Sequence, residues 1–126
     1  MEELRMLGRV LLALYMVVGV WNNITGFGDT VGLMKVIGLP LPRVLLPIVI
    51  LYEAASVVCL FIPSVAIYSA LVLAVWCVVV PSLAHTWWKM PAGKMPVGEM
   101  RFLNKNLWFA NLAIAGGYLL LAFTPM

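Results

Sequence analysis

Four long runs of apolar residues, separated by stretches rich in proline, glycine and charged side chains, dominate the pattern of this chain. Within each run the apolar residues are continuous rather than alternating, which favours helices over strands. A membrane-spanning helix needs about 20 mainly apolar residues, and each run approaches that length. We therefore predict a single all-α membrane domain over residues 1–126, built as a bundle of four transmembrane helices. The predicted helices cover about 7–26, 44–62, 65–85 and 107–124.

The composition indicates an integral membrane protein of the cell membrane that crosses it several times. Hydrophobic residues make up 64% of the chain, charged residues only 10%, and the mean hydropathy is +1.07. A soluble domain carries about 25% charged residues. The net charge of +3 comes from basic residues scattered between the apolar runs, a distribution typical of topology signals and lipid-headgroup contacts. Membrane lipids, and not nucleic acid, are therefore the predicted partners.

The connections between the predicted helices differ in length and charge. Residues 62–64 form a short turn, whereas the loops 27–43 and 86–106 are long. These two loops carry six of the eight basic residues, and the opposite side carries Arg5 and Arg9. The positive-inside rule therefore places both long loops in the cytoplasm. The first of them is half apolar, and we expect it to lie in the membrane interface as a short amphipathic piece.

Glu53 lies inside the second predicted helix, in the stretch LPIVILYEAASVVCLFI, where lipid disfavours a carboxylate. Its position places it about 13 Å deep, close to the middle of the bilayer. A charge at this depth costs about 2.5 kcal/mol or more. We expect Glu53 to hold a proton or a hydrogen-bond partner, to face an interior cavity and to act as a catalytic residue. The alternative is a structural hydrogen bond to a neighbouring helix.

Further polar and aromatic residues gather in the half of the bilayer next to the long loops. His85 is the second candidate catalytic residue, although straight helices place it about 13 Å from Glu53 in depth. A bound head group, a water chain or a kink at Pro81 would bridge that gap. The candidates for binding a cofactor are Trp21, Asn22, Tyr52, Trp88, Asn106 and Asn111. The alternatives are interface anchoring for tryptophan, helix capping for asparagine and simple solvation for histidine.

Cys59 and Cys77 are predicted to be free thiols. Their depths in the second and third predicted helices differ by roughly 14 Å, and a disulfide needs Cα atoms within about 7 Å. The sequence has no metal-ligand cluster, no pair of histidines for haem and no Ser-His-Asp set. We therefore predict no metal site and no covalently bound cofactor, and any redox cofactor must be a quinone or be held by a partner.

Small residues at every fourth position mark two helix faces. Ala66, Ala70 and Ala74 recur in this way in the third predicted helix, and Ala113 and Gly117 do so in the fourth. Small side chains let the backbones of membrane helices approach closely. We predict that these faces hold the bundle together.

Three parts of the chain carry a resemblance to a known family. They are the LYE step at residues 51–53, His85 at the end of the third helix, and the segment RFLNKNLWFANLAIAGGYLLLA at residues 101–122. Together with the four predicted helices, this pattern resembles the DoxX/DoxD-like membrane proteins. The first helix departs from it, because GVWNN stands where that family often has a small residue followed by lysine.

The resemblance implies a small membrane subunit with a role in redox chemistry. Members of that family serve as the membrane partner of thiosulfate:quinone oxidoreductase, or associate with thiol- and superoxide-handling enzymes. Carried over by position, the family's intramembrane glutamate falls on Glu53, its histidine on His85 and its asparagine on Asn106. Other subunits of a redox complex are the expected partners, and a homo-oligomer is the alternative.

We predict from the sequence a membrane subunit of a quinone-linked oxidoreductase complex, with a quinone or lipid head group bound near Glu53. Chemistry by the chain alone is poorly supported. Two alternatives stay open. One is a scaffold that assembles larger subunits without chemistry of its own. The other is a proton-coupled transporter, because small multidrug transporters also have four helices and one membrane glutamate, although theirs lies in the first helix.

Overall fold

The fold is known from a computed structural model, which describes residues 1–90 and 97–124. The α-helices in these ranges are α1 (Glu2–Thr25), α2 (Phe27–Val36), α3 (Pro42–Cys59), α4 (Ala66–Ala84) and α5 (Val97–Ala122). A short 3₁₀ helix, Trp87–Lys89, follows α4. The described residues contain no strand, so the predicted all-α class is confirmed.

Three helical segments are long and apolar enough to cross a membrane, and they correspond to the first three predicted spans. They are Glu2–Thr25, Pro42–Cys59 and Ala66–Lys89. The chain is therefore an integral membrane protein. The fourth predicted span, about 107–124, lies mostly within α5, which is not among the three. The charged residues Glu99, Arg101 and Lys105 belong to the first turns of α5. A boundary predicted from hydropathy misses them, because a helix does not need apolar residues to begin.

The loop 27–43 contains α2, so residues 1–90 and 97–124 hold five α-helices where the sequence predicted four. Gly38 follows the end of α2 with φ +82°, a left-handed conformation that glycine adopts without a steric penalty. The next N–H, that of Leu39, donates to the Met34 carbonyl at 3.0 Å, as in a Schellman motif. Met34 packs in a small apolar cluster with Leu46 of α3. This cluster holds α2 beside α3.

The main core lies between α4, α5 and one face of α1, which contributes Ala13 and Met16. The predicted alanine stripe of Ala66, Ala70 and Ala74 is buried. On α5 the predicted face is wrong for Ala113, which is exposed. The buried residues of α5 in this core are Ala115, Tyr118, Leu121 and Ala122. Each residue turns a helix by about 100°. Ala113, two residues before the buried Ala115, therefore points nearly the opposite way from the core.

Gly117 is a point of close approach between α1 and α5. A Cβ atom at this position would lie 3.1 Å from Cδ2 of Leu12 in α1, closer than side chains normally pack. In the next residue, the hydroxyl of Tyr118 donates to the Leu12 carbonyl at 2.6 Å. The two contacts together fix α1 against α5.

Gly117→Leu is expected to destabilise the bundle by about 1 to 3 kcal/mol, because the new side chain forces α1 away from α5. Gly116→Leu is the matched control, since a Cβ atom there would have no neighbour within 4 Å. The measurement is the free energy of unfolding of both variants in mixed micelles. Equal stability of the two variants contradicts the close approach of α1 and α5.

Both cysteines are free thiols, as predicted. Cys59 ends α3 and is half-buried, whereas Cys77 lies inside α4 and is buried in the main core. Both therefore serve as small apolar side chains in the packing of the bundle.

Candidate functional site

Glu53 lies in the interior of α3, and only 6% of it is exposed. Asn23, near the end of α1, donates from Nδ2 to Oε1 of Glu53 at 3.2 Å. The hydroxyl of Thr30 in α2 donates in turn to Oδ1 of Asn23 at 3.5 Å. Glu53 thus has the hydrogen-bond partner that its depth requires, and α2 helps to orient that partner.

A cavity of about 220 Å³ opens beside the Glu53 carboxyl, between α1, α3, α4 and α5. Its polar or hydrogen-bonding side chains are Tyr15, Asn22, Glu53, Trp76 and Asn111. The rest of the wall is mainly apolar, and one side of the cavity is open. An apolar cavity with a few converging polar groups is the usual form of a site for a small organic ligand.

One face of α1 forms the first wall of the cavity. Tyr15, Gly19 and Asn22 line it, and Asn23 follows directly. Their spacing of four, three and one residues places them on one side of a helix. Gly19 brings the α1 backbone next to the carboxyl, since a Cβ atom there would lie 4.0 Å from Oε2 of Glu53. The absence of a side chain at this position leaves space beside Oε2.

Asn111 of α5 and Trp76 of α4 form the other walls. Asn111 accepts a hydrogen bond from the Tyr15 hydroxyl, and its Nδ2 donates to the Leu107 carbonyl at 2.8 Å. The Trp76 ring packs against Tyr52, with ring centroids 4.8 Å apart. Tyr52 itself lines shallow grooves along α3 and α4 and not the cavity.

His85 lies just after the end of α4, outside the cavity. Its Nδ1 is 2.8 Å from Oδ1 of Asn104. The Nδ2 group of Asn104 donates to the Met100 carbonyl at 2.9 Å, which turns the amide oxygen toward the imidazole. Because an amide oxygen only accepts, Nδ1 is the donor in this contact. The cavity wall on α4 ends at Pro81, one turn before His85. Glu53 lies in that cavity and His85 outside it, so the structure does not bring the two side chains together.

Aromatic side chains pack together beside the second long loop. The Trp87 ring meets Trp88 and Trp108 edge-on, with ring centroids 5.9 and 6.4 Å apart. Above the same ring lie the Lys105 ammonium, at 4.9 Å from the centroid, and the Arg101 guanidinium, at 5.6 Å. A cluster of tryptophan and basic side chains is typical of a membrane interface.

The residues predicted to bind a cofactor differ in where they lie relative to the cavity. Asn22 and Asn111 line the cavity with Glu53, and Tyr52 lies behind its wall. The other predicted residues are exposed and lie outside the cavity wall. They are Trp21, which is 63% exposed, Trp88 and Asn106.

Sequence reasoning did not select Tyr15, Asn23, Trp76 or Cys77, although all lie at or beside the cavity. The sequence does carry a signal for Tyr15 and Asn23. Together with Gly19 they recur at every fourth position and interrupt an apolar helix along one face. No such signal marks Trp76 and Cys77. The helix α4 that carries them is apolar on all sides, so its sequence does not show which face points inward.

In the ranges 1–90 and 97–124, no group of three His, Cys, Asp or Glu side chains could hold a metal ion.

A family comparison identifies the class of protein that carries this site. The sequence profile of one family, described as DoxX, matches residues 4–86, which is more than half of the chain. The chain belongs to the DoxX family. No match was found among curated proteins or among solved structures.

The DoxX match covers the part of the protein from α1 to the end of α4. It includes Asn22, Glu53 and His85. The segment 101–122, whose pattern most resembles the family in the sequence, lies outside the matched residues, and so does Asn111. The family membership of this DoxX protein therefore rests on the helices that provide the Glu53 carboxyl and most of the cavity wall.

Proposed function

We propose that this DoxX protein is the membrane subunit of a quinone-linked oxidoreductase complex, and that the cavity beside Glu53 binds the quinone head group. The observation that carries the proposal is a buried carboxyl on a mainly apolar cavity of about 220 Å³. Membership of the DoxX family supports the association with redox complexes. The sequence has no ligand motif for haem or an electron-transferring metal, so the electrons are proposed to come from a partner subunit.

The size of the cavity fits one quinone ring. A cavity of about 150 Å³ is enough to hold benzene. The 220 Å³ beside Glu53 therefore leaves room for a six-membered ring with its two carbonyl oxygens and small substituents. The isoprenoid tail does not fit, and we propose that it leaves through the open side of the cavity into the lipid.

The polar groups of the cavity match the chemistry of such a ring. Quinone carbonyls accept hydrogen bonds, and the amide of Asn22 and a protonated Glu53 are donors. Oε1 of Glu53 is engaged by Asn23, so Oε2 is the oxygen that holds a proton toward the ligand. A bound quinone supplies a two-electron acceptor that takes up protons, and Glu53 acts as general acid or base for one of them.

We further propose that α5 is the fourth transmembrane helix. The buried Tyr118 and Leu121 pack along α4 in the main core, and the basic residues near Trp87 then lie in the membrane interface. With four spans, both long loops are on one side. Their six basic residues support a cytoplasmic location.

Trp76 provides a direct test of quinone binding. Titration of the purified protein in detergent with a short-chain ubiquinone analogue is expected to quench tryptophan fluorescence saturably, because Trp76 lies in the cavity wall. Trp76→Phe is expected to remove most of this saturable component. Trp21→Phe, which removes an indole that is 63% exposed, is the matched control and is expected to preserve it. Purely linear quenching, or equal loss in both variants, contradicts the proposal.

A further inference from the structure

Arg9 is a buried cation with no place in the quinone site. It lies two turns inside α1 and is only 3% exposed. Its Nη1 donates to the carbonyl of Leu60, just past the end of α3, at 2.7 Å. A cation near the C-terminal end of a helix is favourable. The bond to Leu60 therefore helps to hold the Arg9 side chain in its buried position.

The charge of Arg9 has no carboxylate partner among the described residues. The single ion pair found in them joins the amino group of Met1 to Glu3. A guanidinium has five N–H donors, and one bond to a neutral carbonyl uses only one of them. Since a buried charge without a counter-ion is costly, Arg9 favours an anion beside it.

A cavity of about 450 Å³ lies against Arg9. The turn after α3, the first turn of α4 and the end of α5 line it, with Pro63, Ile67 and Thr124 in its wall, and it is open on one side. In this part of the described chain, the N–H groups of Ile67 and Tyr68 donate to no backbone carbonyl. Unpaired N–H groups at the start of a helix attract anions. Of these two residues, Ile67 lines the cavity, so its N–H group and the Arg9 guanidinium are two separate sources of positive charge beside it.

This cavity lies just below the head-group region of a membrane. Leu60, the partner of Arg9, lies seven residues after Glu53 on the chain, which is about 10 Å along a helix. Glu53 is predicted near the bilayer centre, and the hydrocarbon layer extends about 15 Å to either side. The bond between Arg9 and Leu60 therefore lies about 5 Å inside the hydrocarbon boundary opposite the long loops, within one long side chain of the head groups.

We propose that Arg9 and the first turn of α4 bind a phosphate group at this surface, supplied either by a membrane phospholipid or as free phosphate. The planar guanidinium pairs well with phosphate oxygens, and the α4 N–H groups complete the site. This site is separate from the Glu53 cavity and does not depend on quinone binding.

The test is a titration of the purified protein in neutral detergent, at constant ionic strength, with dioleoylphosphatidylglycerol and separately with inorganic phosphate. Ligand that binds only the folded protein raises its thermal midpoint, and we expect such a rise for wild type. Arg9→Gln removes the charge and is expected to weaken binding about tenfold or more. Arg5→Gln, an exposed residue one turn earlier, is the matched control, with an expected change below about twofold.

Ile67→Trp is a second variant that keeps Arg9 and its bond to Leu60 but fills the cavity, and it too is expected to lose binding. It decides the question if Arg9→Gln does not fold. A response to the lipid alone assigns the site to phospholipid, and a response to inorganic phosphate assigns it to the free ion. No binding by wild type, undiminished binding by Arg9→Gln or Ile67→Trp, or equal weakening by Arg5→Gln overturns the proposal.

Discussion

Glu53→Gln is expected to lower quinone reduction by the complex about 100-fold or more. Glutamine has nearly the same shape and still accepts a hydrogen bond from Asn23, but it holds no transferable proton. General acid–base catalysis typically contributes about 10²- to 10⁴-fold to a rate, and the proposed function assigns this contribution to the Glu53 carboxyl. The measurement is quinone reduction by the complex that purifies with a tagged copy of the chain.

The control for this substitution is Glu2→Gln, which makes the same chemical change at an exposed position. It is expected to leave the rate unchanged. The amount of partner subunit that co-purifies is compared in parallel, because a scaffold role predicts altered assembly with normal turnover per assembled complex. Unchanged turnover in a fully assembled Glu53→Gln complex removes Glu53 from the mechanism.

Leu73→Ala is expected to destabilise the bundle by about 2 kcal/mol. Leu73 is completely buried between α4 and α5, and its truncation leaves a cavity that the surrounding helices fill only in part. The value is near the lower end of the range for soluble proteins. In a membrane, a leucine in the separated helices still lies in an apolar environment, so packing provides most of the effect.

Leu120→Ala provides the comparison for Leu73→Ala. Leu120 is on α5 and is 75% exposed, so its side chain faces lipid or detergent. The change removes the same atoms and is expected to alter the free energy of unfolding by less than about 0.5 kcal/mol. Similar losses for both variants contradict the core described for α4 and α5.

Hydropathy predicts the membrane-spanning helices of this protein well and its other helices poorly. The first three spans lie close to α1, α3 and α4 because a lipid-facing helix must be apolar over about 20 residues. No such requirement acts on α2 or on the start of α5. Their limits depend on local features instead, such as Gly38 after α2, and on packing against neighbouring helices.

The site could be predicted from sequence only where a residue conflicts with its surroundings. Glu53 stands out because lipid rejects a carboxylate, and it lies at the cavity. Trp76 does not stand out, since an aromatic residue suits both lipid and a cavity wall. The distance between Glu53 and His85 depends on how the helices turn about their axes. Hydropathy alone does not define that rotation.

Arg9 illustrates a different limit of sequence analysis. By position it counts as a basic residue near a helix end, and such residues usually set topology. Its burial and its bond to Leu60 arise because the turn after α3 folds over α1. That contact joins residues far apart in the chain, so no local pattern predicts it.

Native mass spectrometry of the protein, purified gently from its own membranes, tests the central claim most directly. The claim is that the Glu53 cavity holds a quinone within a redox complex. Wild-type protein is expected to carry a quinone mass and a redox-active partner subunit. Gly19→Leu, which fills the cavity beside Glu53, is expected to lose the quinone while keeping the partner. Wild-type protein that appears alone and without quinone, or equal retention of quinone by Gly19→Leu, would contradict the account.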